Sequence, residues 1–346
     1  MPYYSAMLDH KYDDLDSAIA NGDVPGLFEA MGGLWQAAQQ AGPGDLSRVV
    51  ARAPGLFEQL PSIGLRAHLA VLFGGLAELG ADPAPLAGQL GEGLTEALEL
   101  VVEYAAVWKD AVPEEPPPPM ESKSFEVSVP VLAPLVGDEH AQRLAQGWAE
   151  IGQWKMAAIT MLQRSSTVRG HLAGSERLIE AITTATTVDH DLDWPTRLLA
   201  VLDDEPLLVL HPATGRGYEL TIGGIGDNFQ LHTLLADALG DSLGVDRPDP
   251  SWVASAVDGP LEPEVWPIRG QFNLVDAYGS AIWNEGVPAD IPIFEGRRVV
   301  VLKPPPYPRT WNIGRLYPMM RPLLRVDRPL PPEEAATWLG KIASHV

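Results

Sequence analysis

The stretch from Pro206 to Asp241 constrains the chain more than any other, because strand, turn and helix signals follow one another inside it. Leu207–Leu210 is an unbroken apolar run, and Pro212-Ala213-Thr214-Gly215, with Gly217 behind it, is turn chemistry. Tyr218, Leu220 and Ile222 then alternate with Glu219 and Thr221, the period of two of a half-buried strand. Gly223, Gly224 and Gly226 break that strand, and Asp227 is a good helix N-cap. Beyond it Leu231, Leu234, Leu235, Ala238 and Leu239 make the apolar stripe of an amphipathic helix. The expectation is strand, turn, strand, glycine loop, helix.

Upstream, helical spacing dominates. Leu15, Ile19, Leu27, Phe28, Met31, Leu34 and Trp35 suit an antiparallel helix pair broken at Asn21-Gly22-Asp23. Leu86, Leu90, Leu94, Leu98, Val101, Ala105 and Trp108 keep a helical period over a longer run. Two-helix units of about 35–40 residues suit a helical repeat by period alone, and a plain bundle equally well. Residues 113–119, Pro-Glu-Glu-Pro-Pro-Pro-Pro, favour extended polyproline II and read as a semi-rigid linker, with a proline-rich recognition ligand as the alternative.

After that run Phe125, Val127 and Val129 alternate like a short strand, and helices are expected from Asp138, over Ser175–Thr187 and over Pro195–Leu202. Strands are expected at Trp266–Val275 and, buried and central, at Arg298–Lys303, with a last helix from Pro332. Strands gathered late, without βαβ alternation, predict an α+β multidomain chain. Its all-α amino-terminal half, of hairpins or a bundle, precedes a mixed, mainly antiparallel sheet with flanking helices. The predicted division is 1–112 helical, 113–120 linker, 121–203 helical, and 204–346 α+β.

Composition narrows the chemistry. With no cysteine among 346 residues, disulfides, thiolate metal sites and cysteine nucleophiles are excluded. A net charge of −22 opposes nucleic acid and anionic membranes as partners. The longest uncharged apolar run, Ala67 to Ala77, falls short of the ~20 residues that span a bilayer. The amino terminus shows neither the basic nor the apolar region of a secretory signal, so a cytoplasmic protein is expected.

Candidate sites follow from residue type. The loop Gly223–Asn228 lies between a strand and a helix, where amides and the helix dipole suit an anion, although a tight turn explains it more simply. His211, Asp227 and His232 are the acid–base candidates near it. Asp189, Asp191 and Asp193 are a weak metal alternative, since the calcium-loop glycine and glutamate are replaced by Trp194 and Ala200; no metal or cofactor is expected. From Arg297 to Arg328 eight basic residues face one acid, interleaved with Tyr307, Trp311 and Tyr317. Trp283-Asn284-Glu285-Gly286 is echoed by Trp311-Asn312-Ile313-Gly314.

Arg269, Trp283, Asn284, Arg309, Trp311, Asn312 and Arg315 are therefore the ligand-binding candidates, as forked donors beside flat rings. Docking of the basic segment on the acidic amino-terminal region competes with that reading. Two functions stay open. One is a non-catalytic binding or adaptor protein that meets a protein partner. The other is an enzyme for an anionic small molecule, with the glycine loop and Arg269, Arg309 or Arg315 holding the anion and His211 as acid–base.

Overall fold

A computed structural model of the chain describes residues 2–119, 123–260, 268–307, 310–311 and 315–342, with backbone alone at 2–4, 268–269 and 310–311. Its residues part into two compact units, Met1–Leu199 and Ala200–Val346.

Unit one is helical. It begins with α1 (Pro2–Ala20), α2 (Val24–Ala38), α3 (Pro43–Arg52), α4 (Pro54–Gln59) and α5 (Ile63–Glu78). There follow α6 (Ala87–Ala111), α7 (Ser124–Val136), α8 (Asp138–Arg164), α9 (Ser166–Ala173), α10 (Glu176–Thr186) and α11 (Trp194–Leu199). Side chains of Asp23, Ser62, Ser165 and Ser175 accept from the first-turn amides of α2, α5, α9 and α10, which sets those starts. The long helix α8 is the hub, packed by α5, α6 and α7. Contact between α5 and α8, far apart in sequence, makes this a bundle rather than a solenoid whose repeats meet only their neighbours. Trp154 of α8 is fully buried against Gly93 of α6, where an added Cβ would stand 2.1 Å from the indole. That glycine is what lets the two helices close.

One expectation changes in unit one. Phe125, Val127 and Val129 lie on α7, not on a strand. Their apolar alternation is overruled by Ser124, Ser128 and Leu132, which are buried at the four-residue spacing of a helix, while Phe125 and Val127 are exposed. The proline run joins α6 to α7 within the unit Met1–Leu199. There the hub α8 covers the faces that α5 and α6 would otherwise leave bare.

Unit two is the α+β part. Its elements are β1 (Glu205–His211), β2 (Arg216–Gly223), α12 (Asn228–Leu243), α13 (Pro250–Val257), β3 (Ile268–Arg269) and β4 (Asn273–Val275). They continue with β5 (Ile293–Phe294), β6 (Arg297–Lys303), β7 (Thr310–Trp311), β8 (Leu323–Pro329) and α14 (Pro332–Ile342). The sheet runs β4-β6-β1-β2-β8, with β5 also on β6, and β3 pairs β7 in a separate ladder. Among the described residues only β1 and β6 are parallel; every other pair is antiparallel.

The pleat sends alternate residues to opposite faces. Leu207, Val209, Leu220 and Ile222 pack under Leu231, Leu235 and Leu239 of α12. Leu208, Leu210, Val299 and Val301 pack against Ala335 and Ile342 of α14. Thus the organising stretch forms as expected, and β6 is the buried central strand, with Val299–Leu302 all inside. The strand expected over Trp266–Val275 is two short ones, β3 and β4; residues 261–267 lie outside the described residues.

Candidate functional site

The glycine loop is built from the end of β2. Gly224 takes a left-handed φ of +61°, and a Cβ there would stand 2.6 Å from the Arg321 carbonyl, so only glycine fits this crossing. Asp227 caps α12 as expected, accepting from the Gln230 amide at 2.8 Å. The neighbouring donors are also engaged. Gly226 N donates to Gln230 Oε1 at 2.9 Å, Asn228 N to Gly286 O at 2.9 Å, and Phe229 N to Asn284 O at 3.1 Å. A helix N-terminus holds anions with its unsatisfied amides, and here the 283–287 loop satisfies them. The loop is a tight strand-to-helix junction.

His211 is at the other end of the hairpin. In the β1–β2 register it faces Arg216, whereas Glu205 faces Ile222 beside the glycine loop. Six strand residues, roughly 20 Å, separate the two. His211 is only 6% exposed; its Nδ1 shares a 2.8 Å hydrogen bond with Thr214 Oγ1, and burial pushes its pKa down. His232, 1% exposed on α12, accepts from Phe272 N at its Nε2, 3.1 Å away. Both imidazoles meet the Phe272 ring, each with centroids 6.1 Å apart. The structure thus brings His211 and His232 to one ring, while the Asp227 carboxylate caps α12.

The arginines answer the charge question within unit two. Arg297 and Arg328 hold the two oxygens of Glu219 at 2.5 and 2.8 Å, and Arg328 also grips Glu334 at 2.8 and 3.0 Å. Those hydrogen bonds hold the Glu219 and Glu334 carboxyls below their ordinary values. Arg298 bonds Glu205 at 3.0 Å, Arg321 meets Asp258 at 3.1 Å, and Arg325 meets Asp327 at 2.7 Å. Arg315 donates to the carbonyls of Ser255 and Gly259, both at 3.0 Å, closing the end of α13. Five of the eight basic residues thus meet an acid, from β1, β2, α14, the end of α13 or β8 itself.

Of the remaining candidates, Arg269 and Trp311 are placed by backbone only, on β3 and β7; Arg309 and Asn312 lie outside the described residues. Asp191 and Asp193 lie in a 3-10 turn over His190–Asp193, which Asp189 caps by accepting from Asp191 N at 2.9 Å. Among the described residues no group of three or more carboxylates and histidines could hold a metal ion.

Trp283 is different. Its side chain is 71% exposed, the most open of the large apolar side chains described. Yet the backbone beneath it is fixed. Asn228 Nδ2 donates to Trp283 O at 2.9 Å, Gly286 N closes the turn onto the same oxygen at 3.1 Å, and Asn284 O caps α12. An indole is held out to solvent on a rigid turn.

A second constellation, in unit one, escaped the sequence reading. Tyr104 and Trp108 of α6 and Trp148 of α8 form a stack, with Tyr104 4.7 Å from Trp148 at 9° and 5.7 Å from Trp108 at 22°. Tyr104 Oη and Ser128 Oγ of α7 share a 2.7 Å hydrogen bond, and burial pushes the phenol up to about 12. Both indoles then donate to the proline run: Trp108 Nε1 to Glu114 O and Trp148 Nε1 to Pro117 O, each at 2.8 Å. The available signal was an i, i+4 aromatic pair in the last turns of the helix that runs into the prolines. Unit one also holds a cleft of about 500 Å³ beside α6, lined by Glu92, Thr95, His171 and Arg177. Arg177 is held there by Glu99, at 2.8 and 2.6 Å.

Compared with known proteins, the chain matches no family model, no curated protein and no solved structure. No described helix is long and apolar enough to cross a membrane.

Proposed function

We propose that this chain is a cytosolic, non-catalytic binding or adaptor protein, and that the surface around Trp283 in unit two meets a protein partner. The observation that carries the reading is the indole itself, 71% exposed on a turn whose carbonyls are tied to α12. A tryptophan buries roughly 150–250 Å² when covered, and tryptophans are enriched among the residues that dominate binding energy. Because the turn is already ordered, docking costs little further entropy. The groups that acid–base or anion chemistry would use are engaged elsewhere: His211 with Thr214, the α12 amides with the 283–287 loop, and Arg315 with α13.

The test is a photo-reactive phenylalanine analogue in place of Trp283 in the full chain, activated in the cells that make the protein. A discrete cross-linked protein is expected, suppressed by excess wild type and not by a Trp283→Ala competitor of equal thermal stability. Equal suppression by both competitors, or turnover of an anionic small molecule that His211→Ala abolishes, would overturn the reading.

A further inference from the structure

The proline run accepts hydrogen bonds from two tryptophans of its own chain. Proline has no amide hydrogen, so Pro116, Pro117, Pro118 and Pro119 offer a partner only carbonyls and ring faces. In polyproline II three residues make a turn, and carbonyls three apart lie along one edge of the helix. Glu114 and Pro117 are three apart, and their carbonyls receive the two indole N–H groups at the same 2.8 Å. Between those donors the Tyr104 ring is stacked with both indoles, giving an aromatic platform with a donor from each tryptophan. Pro116, Pro117 and Pro119 are half-buried, and Trp108 and Trp148 are 5% and 6% exposed. The platform is rigid: α6 supplies Tyr104 and Trp108, α8 supplies Trp148, and Ser128 of α7 fixes the phenol. Paired donors on an aromatic groove are a general means of recognising polyproline II.

We propose that the Trp108–Tyr104–Trp148 groove is a binding site for polyproline II segments, occupied in cis by residues 113–119, and that a proline-rich segment of a partner protein takes the same place when this strap lifts. Nothing in the two hydrogen bonds depends on a side chain of the strap. Glu114 and Glu115 are exposed, and the contacts described are to main-chain oxygens. Any segment with proline rings and carbonyls at that spacing satisfies the donors. Tethering at both ends gives the strap an effective concentration on the order of millimolar, so it outcompetes a free peptide of equal intrinsic affinity. The proline run is therefore a gate on the groove as well as a connection between α6 and α7.

The experiment uses the full chain with residues 113–119 replaced by a glycine–serine segment of equal length. The probe is a capped synthetic peptide of the sequence 112–119, with an alanine-for-proline peptide as control, followed by calorimetry and by the indole N–H resonances. The replaced chain should bind the proline peptide at least about tenfold more tightly than the control peptide, with shifts at the Trp108 and Trp148 indoles. Wild type should bind at least about tenfold more weakly than the replaced chain. Trp148→Phe in the replaced chain, which keeps a flat ring and removes one donor, should weaken binding by about tenfold.

A folded, replaced chain that ignores the proline peptide overturns the proposal, as does binding that survives Trp148→Phe unchanged. So does a wild-type dimer formed by exchange of the straps, which would make a second copy the occupant. If the replaced chain does not fold, Pro116→Ala with Pro117→Ala in the full chain carries the same comparison, and the same outcomes decide it.

Discussion

Two regions of the molecule show two ways of joining elements, a glycine contact between helices in unit one and a shared carboxylate between strands in unit two. Unit one closes its helices by removing side chains, as where Gly93 makes room for Trp154, and ties polar groups across helices, as Tyr104 to Ser128 and Arg66 to Glu96. Unit two keeps its charges at the sheet and cancels them in pairs, with Glu219 of β2 shared between Arg297 of β6 and Arg328 of β8. Close packing is unforgiving, because an interior at near-crystalline density cannot absorb an added methyl. Exposed ion pairs are forgiving, because water replaces what they lose. Substitution at the glycine contact should therefore be felt far more than substitution at the ion pairs.

The comparison breaks first, and by the largest effect, on truncation. Fragments 1–199 and 200–346 are each expected to unfold cooperatively, whereas 1–112 should fail to fold without α8. Circular dichroism with thermal melting checks this, and a cooperative transition in 1–112 would remove the hub argument. Next, Gly93→Ala should cost on the order of 1–3 kcal/mol or more, since its Cβ would stand 2.1 Å from Trp154. Gly32→Ala, in α2 with nothing within 4 Å of the new methyl, should instead gain about 0.5–1 kcal/mol. Denaturant titration of both variants measures the contrast; equal losses would mean that helix propensity, not the close approach, sets the cost.

Unit two supplies the smaller effects. Asp227→Ala removes the α12 cap and should cost about 1 kcal/mol, without altering cross-linking at Trp283. Loss of cross-linking with stability intact would show that the loop binds something itself.

The smallest effect is one of sign. The hydrogen bond to Glu150 raises the pKa of His68 in unit one above 6.5, so its contribution is full below 6.5 and is lost as pH rises through the raised value. Burial lowers that of His211 in unit two below 6.5, so the stability it allows is full above 6.5 and is lost as pH falls through the lowered value. Melting the separate fragments between pH 5 and 8, with His68→Gln and His211→Gln as controls, should show opposite slopes. Slopes of the same sign that each control removes would contradict these environments.

Much of the fold was legible where the cause is local. Turn residues, period-two alternation and the Asp227 cap act within about 35 residues, and that stretch forms as read. The α+β class followed from where strand-like runs cluster. The candidate site was legible only in part. Trp283 and Asn284 were marked by residue type, but the surface exposure of one and the capping carbonyl of the other belong to the turn that α12 holds.

What the sequence determined by itself is therefore the set of short-range structures: helices with their serine and aspartate caps, the β1–β2 hairpin, and a proline run that no helix or sheet interior accepts. What only the tertiary structure decided is which groups meet across the chain. Residues 125–129 alternate like a strand and are helical because Ser128 reaches Tyr104 and Leu132 is buried. The arginines near the end looked unpaired because Glu205 and Glu219 stand some 80–110 residues before them. The proline run reads as a spacer until Trp148, 31 positions past Pro117, donates to its carbonyl. A backbone carbonyl or an arginine carries no mark in sequence of the partner it will find, since that choice depends on burial and distance, which exist only once the chain has packed.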